Sequence, residues 1–259
     1  MPVDSANQVI RLSAVLIVKN EAKKLEACLQ SLDFVDEIVV LDSGSTDDTL
    51  AMAKRFGARV EINTDWQGFG VQRQRAQAFA RGRWVLCIDA DERVSDELKQ
   101  EMLQVIDGDD CIYEINRLSW CFGRYMRHTD MYPDWIPRLY PRLLAGFDDT
   151  RVHERLRNSN RLPVKRLQGD LLHYVYDSVR HLVTKSALYA EHWAIAKQES
   201  GKTGSLWSAC LHGLSCFLRM YVLKRGFLDG GQGLLVALVM SHATFVKYAD
   251  LWVRTRTSS

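Results

Sequence analysis

The sequence predicts an α/β fold: a mostly parallel, doubly wound sheet followed by a C-terminal helical appendage. In the first hundred residues, apolar runs of strand length alternate with segments of helical spacing, a pattern typical of parallel sheets covered by helices. From residue 177 onward the strand-like runs stop and long, largely apolar segments follow. We therefore expect a sheet-containing domain over residues 1–176 and a helical region over residues 177–259.

Four strands and three helices can be assigned in order along the first ninety residues. Each predicted strand is a short apolar run that ends in polar residues or is flanked by glycine. The predicted strands cover residues 12–18, 37–41, 59–62 and 85–88, and the predicted helices cover residues 22–32, 46–56 and 68–80. Ser45 and Asp48 have the spacing of a capping box, which predicts that Ser45 caps the second helix.

Composition excludes some classes of protein. Of the 259 residues, 47% are apolar and 25% are charged, which is ordinary for a soluble globular chain. The net charge of +2 argues against a general polyanion binder, and we expect no nucleic-acid partner. Six cysteines form no C-x-x-C pair, and the first twenty residues lack the pattern of a signal peptide. We expect a cytoplasmic protein with reduced cysteines.

Polar side chains follow three of the predicted strands at the point where each strand ends. Asn20 and Glu21 follow the first strand, Asp42 follows the second, and Asp89 and Asp91 follow the fourth. Because parallel sheets bind ligands beyond the carboxyl ends of their strands, these side chains are candidates for one shared site. The last two form a D-x-D pair that could hold a divalent cation, although an isolated D-x-D is more often a polar strand end followed by a helix cap.

Two common nucleotide-binding signatures are absent from the sequence. No G-x-G-x-x-G follows the first strand, and no G-x-x-x-x-G-K-[ST] occurs anywhere in the chain. Neither a dinucleotide site nor a P-loop is therefore supported.

Three motifs, in this order and spacing, resemble those of family-two glycosyltransferases with the GT-A fold. They are Val18-Lys19-Asn20-Glu21, Val40-Leu41-Asp42-Ser43-Gly44-Ser45-Thr46-Asp47 and Ile88-Asp89-Ala90-Asp91-Glu92. More narrowly, the whole chain resembles the lipopolysaccharide-core β-1,4-glucosyltransferase-like branch. That resemblance rests on Trp66-x-Gly68-Phe69-Gly70-x-Gln72-Arg73, Val152-His153-Glu154 and Gly226-Phe227-Leu228-Asp229-Gly230.

The resemblance implies a UDP-sugar donor and a divalent metal, Mn²⁺ or Mg²⁺. Asp42 would accept hydrogen bonds from uracil, and the metal would stabilise the charge on the leaving UDP. Asp91 would bind the metal directly. His173 is a candidate for completing its ligand shell, although a lone histidine is more often a core residue. The implied nucleotide-sugar-binding residues are Val18, Asn20, Glu21, Asp42, Ser43, Arg73, Asp89 and Ala90.

The same resemblance implies an inverting transfer of a hexose, with glucose preferred, in which a carboxylate takes the proton of the acceptor hydroxyl. Glu154 is the first candidate for this base. Residues 151–155 alternate in a way that predicts a strand, with His153 and Glu154 on opposite faces. Asp130 and Asp134 are the alternatives, because family-two enzymes more often use aspartate. A surface glutamate paired with a neighbouring arginine is the non-catalytic interpretation of Glu154.

The C-terminal region is predicted to form helices over residues 179–197, 206–224 and 234–252. Its most apolar piece, residues 234–240, is far shorter than the roughly twenty residues of a membrane span, so no transmembrane segment is predicted. Apolar faces with nearby tryptophan and basic residues suit peripheral contact with the inner face of the cytoplasmic membrane. Packing on the catalytic domain or in a homodimer fits them equally well. A glycan or glycolipid acceptor linked to lipid would favour membrane contact.

Two other functions stay open on the sequence. A sugar nucleotidyltransferase would use a related sheet and metal, but normally has a glycine-rich phosphate loop where Val18-Lys19-Asn20-Glu21 has no glycine. A non-catalytic nucleotide-sugar-binding or membrane-scaffold protein would not need the four acids Asp42, Asp89, Asp91 and Glu154 intact.

Overall fold

The computed structural model describes residues 9–150 and 154–257. The chain divides into two compact units. The first comprises the chain up to Arg117 together with Asp134–His173, and the second comprises Leu118–Pro133 and the chain from Tyr174 onward. The sequence analysis did not predict that Leu118–Pro133 belongs with the helical C-terminal region. The assignment of separate roles to residues 1–176 and 177–259 stays a prediction.

Strands and helices alternate through the first unit, and helices dominate the second. The strands are β1 (Leu12–Val18), β2 (Glu37–Asp42), β3 (Arg59–Ile62), β4 (Trp84–Cys87), β5 (Glu92–Val94), β6 (Ile112–Cys121), β7 (Arg124–Tyr125), β8 (Trp135–Pro141), β9 (Gly146–Phe147), β10 (Leu156–Arg157) and β11 (Val164–Tyr176). The helices are α1 (Ala22–Gln30), α2 (Thr49–Arg55), α3 (Phe69–Phe79), α4 (Asp96–Val105), α5 (Val179–Glu199), α6 (Leu206–Phe217) and α7 (Gly230–Thr257). A π-helical segment (Leu218–Leu223) and a 3₁₀ helix (Gly226–Asp229) lie between α6 and α7.

Four parallel strands form the half of the sheet that carries the predicted polar ends. Their order is β3-β2-β1-β4, with Val15 opposite Val39 on one side and opposite Cys87 on the other. Leu16 and Leu86 pack on the side of α1 and α4, whereas Val15 and Cys87 pack on the side of α3. Because helices cover both faces, the central strands β1 and β4 are almost entirely apolar. The predicted α/β class is confirmed.

The other half of the first unit's sheet contains antiparallel pairs. β8 pairs with β4 and with β6, and β11 pairs with β5. The pairing of β11 with β5 sets His173 opposite Glu92, so a residue far along the chain reaches the strand that follows the D-x-D pair. β8 contains Pro137 and Pro141, although proline is unfavourable inside a sheet.

The predicted helix cap at Ser45 is wrong. α2 begins at Thr49, and its N-cap residue, Asp48, makes no side-chain capping bond. The Ser45 hydroxyl instead donates to Asp42 and accepts from the backbone N–H of Asn20. Local side-chain bonds of this kind compete with helix capping, and here they shape the loop that follows β2.

Two helical stretches of the second unit, Leu206–Leu223 and Gly226–Arg256, are long and apolar enough by length and composition to cross a membrane. Only 22% and 17% of their most apolar windows are buried. The prediction of no transmembrane segment took residues 234–240 as the most apolar piece. It therefore underestimated the length of both apolar stretches, which have 18 and 31 residues. Core helices of soluble proteins pass the same test but are mostly buried, so the exposure of these two is the unusual feature.

Candidate active site

The carboxyl ends of β1, β2 and β4 lie side by side in the sheet. Val18, the last residue of β1, pairs with Asp42, the last residue of β2, and β4 pairs with the other side of β1. The polar residues that follow these strands therefore start from neighbouring points, as the alternation of strands and helices predicts.

Asn20 and Asp42 tie together the loop that follows β2, called the β2 loop below. Asp42 is buried, and its Oδ2 accepts hydrogen bonds from the backbone N–H groups of Gly44 and Ser45, both at 2.8 Å. Asn20 Oδ1 accepts from the Thr46 N–H at 2.8 Å, and Asn20 itself has a left-handed φ of 57°. The structure thus brings these two predicted residues together and gives Asp42 a loop-shaping role that the sequence did not indicate.

Four further residues predicted to bind the nucleotide-sugar lie at or just after the ends of β1, β2 and β4. The Ser43 N–H donates to the Val18 carbonyl at 2.9 Å, and the Ser43 hydroxyl accepts from Gln72 of α3 at 3.0 Å. Burial raises the pKa of Glu21, which favours its protonated form. Ala90, which stands between the two aspartates of the D-x-D pair in the sequence, is also buried.

Asp91 faces a histidine and a lysine. His173 Nε2 lies 3.7 Å from Asp91 Oδ1, and Lys24 Nζ lies 3.7 Å from Asp91 Oδ2. Burial works to raise the pKa of Asp91, but the imidazole and the ammonium outweigh it, so that this pKa lies below its ordinary value. His173 Nδ1 is buried and finds no hydrogen-bond partner among the described residues.

Asp91 and His173 fit a divalent cation as a pair of protein ligands. Their facing atoms are close enough for both to bind one ion at about 2.1 Å. Mg²⁺ sites often have only one or two protein ligands, with phosphate and water oxygens completing the shell. In residues 9–150 and 154–257, no group of three or more His, Cys, Asp or Glu side chains is arranged to hold a metal.

Arg73 joins two carboxylates that are distant in the sequence. Its Nη2 donates to Asp89 Oδ1 at 2.8 Å, and its Nε donates to Glu154 Oε1 at 2.9 Å. Nη1 contacts Cys87 Sγ at 2.7 Å, the ring of Phe147 lies 5.2 Å from the guanidinium carbon, and the side chain is only 6% exposed. The candidate base therefore lies beside the strand end that carries the D-x-D pair.

Arg138 binds Asp89 from the other side. Its Nη2 donates to Asp89 Oδ2 at 2.6 Å and to Glu92 Oε1 at 3.0 Å. Glu92 is fully buried, and its other oxygen accepts the Asp89 N–H at 2.9 Å. Burial works to raise the pKa of Asp89, but the guanidiniums of Arg138 and Arg73 hold it well below its usual range. Below, the name ion network refers to Arg73, Asp89, Glu92, Arg138 and Glu154.

A short hairpin carries Glu154 to the ion network. β9 and β10 pair antiparallel, and Gln74 of α3 donates to the Phe147 carbonyl at 2.8 Å. Gly70 permits this approach, because a Cβ there would lie 2.0 Å from the carbonyl oxygen of Asp148. Glycine within the motif of residues 66–73 is therefore required for docking of the hairpin on α3.

The predicted strand over residues 151–155 is wrong at its end. Residues 151–153, including His153, lie outside the described residues. Glu154 and Arg155 have no regular secondary structure, and β10 begins only at Leu156. The Arg155 N–H donates to Asp148 Oδ1 at 3.1 Å instead of joining a strand ladder.

The two alternative bases contact other cations. Asp134 accepts from Arg117 at 2.6 and 2.8 Å in the first unit. Asp130 belongs to the second unit and pairs with Arg219 at 2.8 Å. Of the three candidate bases, Glu154 is the one held by a side chain that also binds the D-x-D pair.

Comparisons with known proteins agree with these motifs. Residues 13–163, more than half of the chain, match Glycosyl transferase family 2. The lipopolysaccharide core biosynthesis glycosyltransferase LpsC of Rhizobium meliloti is 27% identical over 250 residues, which covers 94% of this chain and 92% of LpsC. An uncharacterized glycosyltransferase of Rickettsia prowazekii is 28% identical over 253 residues, covering 93% of this chain and 86% of that protein.

The fold is also found in a solved structure. Residues 1–349 of TarS from S. aureus, crystallised with UDP, align with a TM-score of 0.50 and 16% identity over 96% of this chain and 92% of that chain. This likeness supports the GT-A fold that the motifs indicated. Together with the match over residues 13–163, it leads to one conclusion: the chain belongs to glycosyltransferase family 2.

Proposed function

We propose that the chain transfers a hexose, with glucose preferred, from a UDP-sugar to a hydroxyl group of a lipid-linked glycan, with inversion at the anomeric carbon. The observation that carries the proposal is the single guanidinium of Arg73, which holds Glu154 beside Asp89. A carboxylate that would accept the proton therefore lies next to a strand end that would bind the sugar donor. The acceptor class follows LpsC, whose name assigns it to lipopolysaccharide core biosynthesis.

UDP would bind at the β2 loop and the neighbouring strand ends. Asp42 would accept a hydrogen bond from uracil through Oδ1, and a buried charged acceptor of this kind discriminates against bases that lack the matching donor. TarS, which shares the fold, was crystallised with UDP. The nucleotide-sugar-binding set that we propose is Val18, Asn20, Glu21, Asp42, Ser43, Asp89 and Ala90, with Arg73 at the sugar end.

Asp91 and His173 would hold Mn²⁺ or Mg²⁺. When bound, the ion would stabilise the negative charge that develops on the diphosphate as UDP leaves. Lys24 adds a fixed positive charge 3.7 Å from Asp91 and would orient the diphosphate from the side of α1.

Glu154 would act as the general base. The acceptor oxygen attacks the anomeric carbon from the face opposite UDP, and the bond to the β-phosphate oxygen breaks with its electron pair leaving on UDP. Glu154 takes the proton of the attacking hydroxyl. We favour Glu154 over Asp134 and Asp130 because Arg73 binds both Glu154 and Asp89, whereas Asp134 pairs with Arg117 and Asp130 pairs with Arg219.

The second unit would contact the inner face of the cytoplasmic membrane, where a lipid-linked acceptor lies. One side of α6 and the following π-helical segment exposes large apolar side chains, called the apolar face below: Trp207, Leu211, Leu214, Leu218, Val222 and Leu223. Residues 203–246 contain three basic side chains and a single acid, Asp229, which is buried. Arg219 pairs with Asp130, whereas Lys224 and Arg225 are exposed, and an apolar face beside exposed basic residues complements anionic lipid headgroups.

The proposed reaction is tested by UDP release from a panel of UDP-sugars, with a lipopolysaccharide-core glycolipid as acceptor and with Mn²⁺, Mg²⁺ or EDTA. We expect one preferred donor, dependence on metal, and a loss of kcat of about 10²–10⁴ in Glu154→Gln. Asp91→Asn should also lose turnover. Asp65→Asn is the matched control, because Asp65 is an exposed carboxylate of the same unit that pairs with Arg75.

Two outcomes would contradict the proposal. Absence of release from every donor, with no rise in melting temperature on adding any UDP-sugar, would overturn the UDP-sugar assignment. A product whose anomeric configuration, measured by NMR, equals that of the donor would overturn inversion and with it the role of Glu154.

A further inference from the structure

We propose that Arg73 and Arg138 are positioning residues: Arg73 holds the carboxylate of Glu154 directly, and Arg138 acts on it through Asp89 and Arg73, so that proton acceptance depends on an arginine that does not touch the base. This inference rests on the function proposed above. Arg138 was not among the predicted site residues, and no contact between Arg138 and Glu154 is required.

Negative and positive side chains alternate along the ion network. Their order is Glu154, Arg73, Asp89, Arg138, Glu92, with successive N···O distances of 2.9, 2.8, 2.6 and 3.0 Å. Both oxygens of Asp89 are therefore engaged, one by each guanidinium. The two arginine side chains are each 6% exposed, where charge-assisted bonds are strong and directional.

Glu154, the proposed base, is held through its side chain by Arg73. Glu154 lies in a segment without regular secondary structure, so no strand ladder fixes its backbone. Its carboxylate accepts from Arg73 Nε, and Arg73 is held in turn by Cys87 and by Asp89. If Arg138 is removed, the freed oxygen of Asp89 competes for Arg73, since a guanidinium binds one carboxylate best through two nitrogens. Arg73 Nε is then drawn away from Glu154.

The two arginines differ in how many of their nitrogens bind carboxylates. Arg138 reaches both of its carboxylates with one nitrogen, Nη2, and a lysine ammonium can make the same two contacts. Arg73 uses two different nitrogens, Nε and Nη2, for Glu154 and Asp89, and a single ammonium cannot span them. Lysine should therefore substitute at position 138 and fail at position 73.

The test measures kcat and the donor KM of the full chain by UDP release. We expect Arg138→Gln to lower kcat about 10–100-fold, the cost of misplacing a catalytic group by about 1 Å, with the donor KM changed less than about 3-fold. Arg138→Lys should recover kcat to within about 3-fold of wild type, whereas Arg73→Lys should stay as low as Arg73→Gln. Arg142→Gln, whose Nε donates to the Gly82 carbonyl, is the control and should keep wild-type kcat.

A double-mutant cycle distinguishes positioning from a merely structural role. Glu154→Asp keeps a proton acceptor but retracts it from Arg73, so Arg138→Gln should cost no further kcat in that background. Losses that multiply in the double variant, or equal behaviour of Arg138→Lys and Arg73→Lys, would overturn the inference. Wild-type turnover in Glu154→Gln would instead overturn the proposed base, so the two failures are distinct. Thermal unfolding of each variant identifies any loss of kcat caused by unfolding.

Discussion

The two compact units differ in where buried ion pairs and exposed apolar side chains are concentrated. The first unit buries ionic groups, with Arg73 and Arg138 each 6% exposed and Glu92 fully buried. The second unit exposes large apolar side chains, with Trp207 74% and Leu214 58% exposed. Burying a charge is unfavourable unless it is paired, and a contiguous exposed apolar patch is uncommon on a soluble protein.

The buried ionic groups and the exposed apolar side chains each coincide with a proposed functional site. In the first unit the paired charges lie at the carboxyl ends of the parallel strands, where family-two chemistry is proposed. In the second unit the most exposed apolar side chains, Trp207 and Leu223, belong to the apolar face, where membrane contact is proposed. The contrast therefore predicts that substitutions of similar severity will have different consequences in the two units.

The largest expected effect is on stability in the first unit. Arg138→Met removes a cation from between Asp89 and Glu92 and leaves two carboxylates together without it. Breaking a buried ion pair costs about 3–5 kcal/mol, so we expect the free energy of unfolding, measured by urea denaturation, to fall by that amount. A loss below about 1 kcal/mol would mean that the buried charges contribute little to the fold.

The matched variant in the second unit is Leu214→Glu. Arg138→Met removes a buried charge, whereas Leu214→Glu introduces a charge at a side chain that is 58% exposed. Exposed substitutions usually change stability by less than about 0.5 kcal/mol. If Leu214→Glu destabilises the chain as much as Arg138→Met does, the apolar face is covered in solution, and the contrast between the units fails.

Sequence reasoning predicted the parallel half of the fold because each strand there is local and carries its own apolar signature. Asn20, Asp42, Asp89 and Asp91 were predicted for the same reason, since the carboxyl ends of parallel strands must meet. Sequence reasoning did not place Arg138 and Glu92 in contact with Asp89, although Glu92 stood within a quoted motif. Their role depends on the antiparallel pairing of β8 and on burial, which a single sequence does not specify.

The available signal was a charge next to apolar strands. Arg138 stands inside the otherwise apolar β8, and Glu92 begins β5 directly after the D-x-D pair. Charged residues are rarely buried unless paired, so two opposite charges of this kind indicate a partnership. The prediction that Ser45 caps α2 failed for a related reason: a local motif was assigned without its long-range partner, the backbone of Asn20.

A smaller effect is expected on membrane binding. Leu211→Glu combined with Leu214→Glu should weaken binding to anionic phosphatidylglycerol vesicles at least 10-fold in a flotation assay, because both side chains belong to the apolar face. Neutralising Lys224 and Arg225 should weaken binding further, at about 1 kcal/mol per basic residue. Leu143→Glu is the control, since Leu143 is 80% exposed but lies in the first unit.

The vesicle experiment also separates membrane contact from self-association. Wild-type chain that ignores anionic vesicles but dimerises by light scattering, and loses the dimer in the Leu211 and Leu214 variant, would replace the membrane with a second copy. Equal binding to neutral phosphatidylcholine vesicles would contradict the contribution of the basic residues.

The smallest effect concerns a buried carboxylate far from the ion network, and it tests whether burial of charge alone marks function. Glu37 begins β2 at the end opposite Asp42 and accepts from Ser13 Oγ at 2.6 Å and from Arg81 Nε at 2.7 Å. Burial works to raise its pKa, but these bonds outweigh it, so that the pKa lies below 4.5. A carboxyl whose pKa falls on folding stabilises the fold above pH 4.5, and this contribution is lost as the pH falls through the folded pKa.

Glu37→Gln should therefore lower the free energy of unfolding by about 1 kcal/mol at pH 7. The difference should shrink toward pH 3, and kcat at pH 7 should not change. A constant difference across that range would show that the hydrogen bonds of Glu37 stabilise the fold without its charge, whereas a loss of kcat would show that buried ion pairs affect catalysis wherever they lie in this unit.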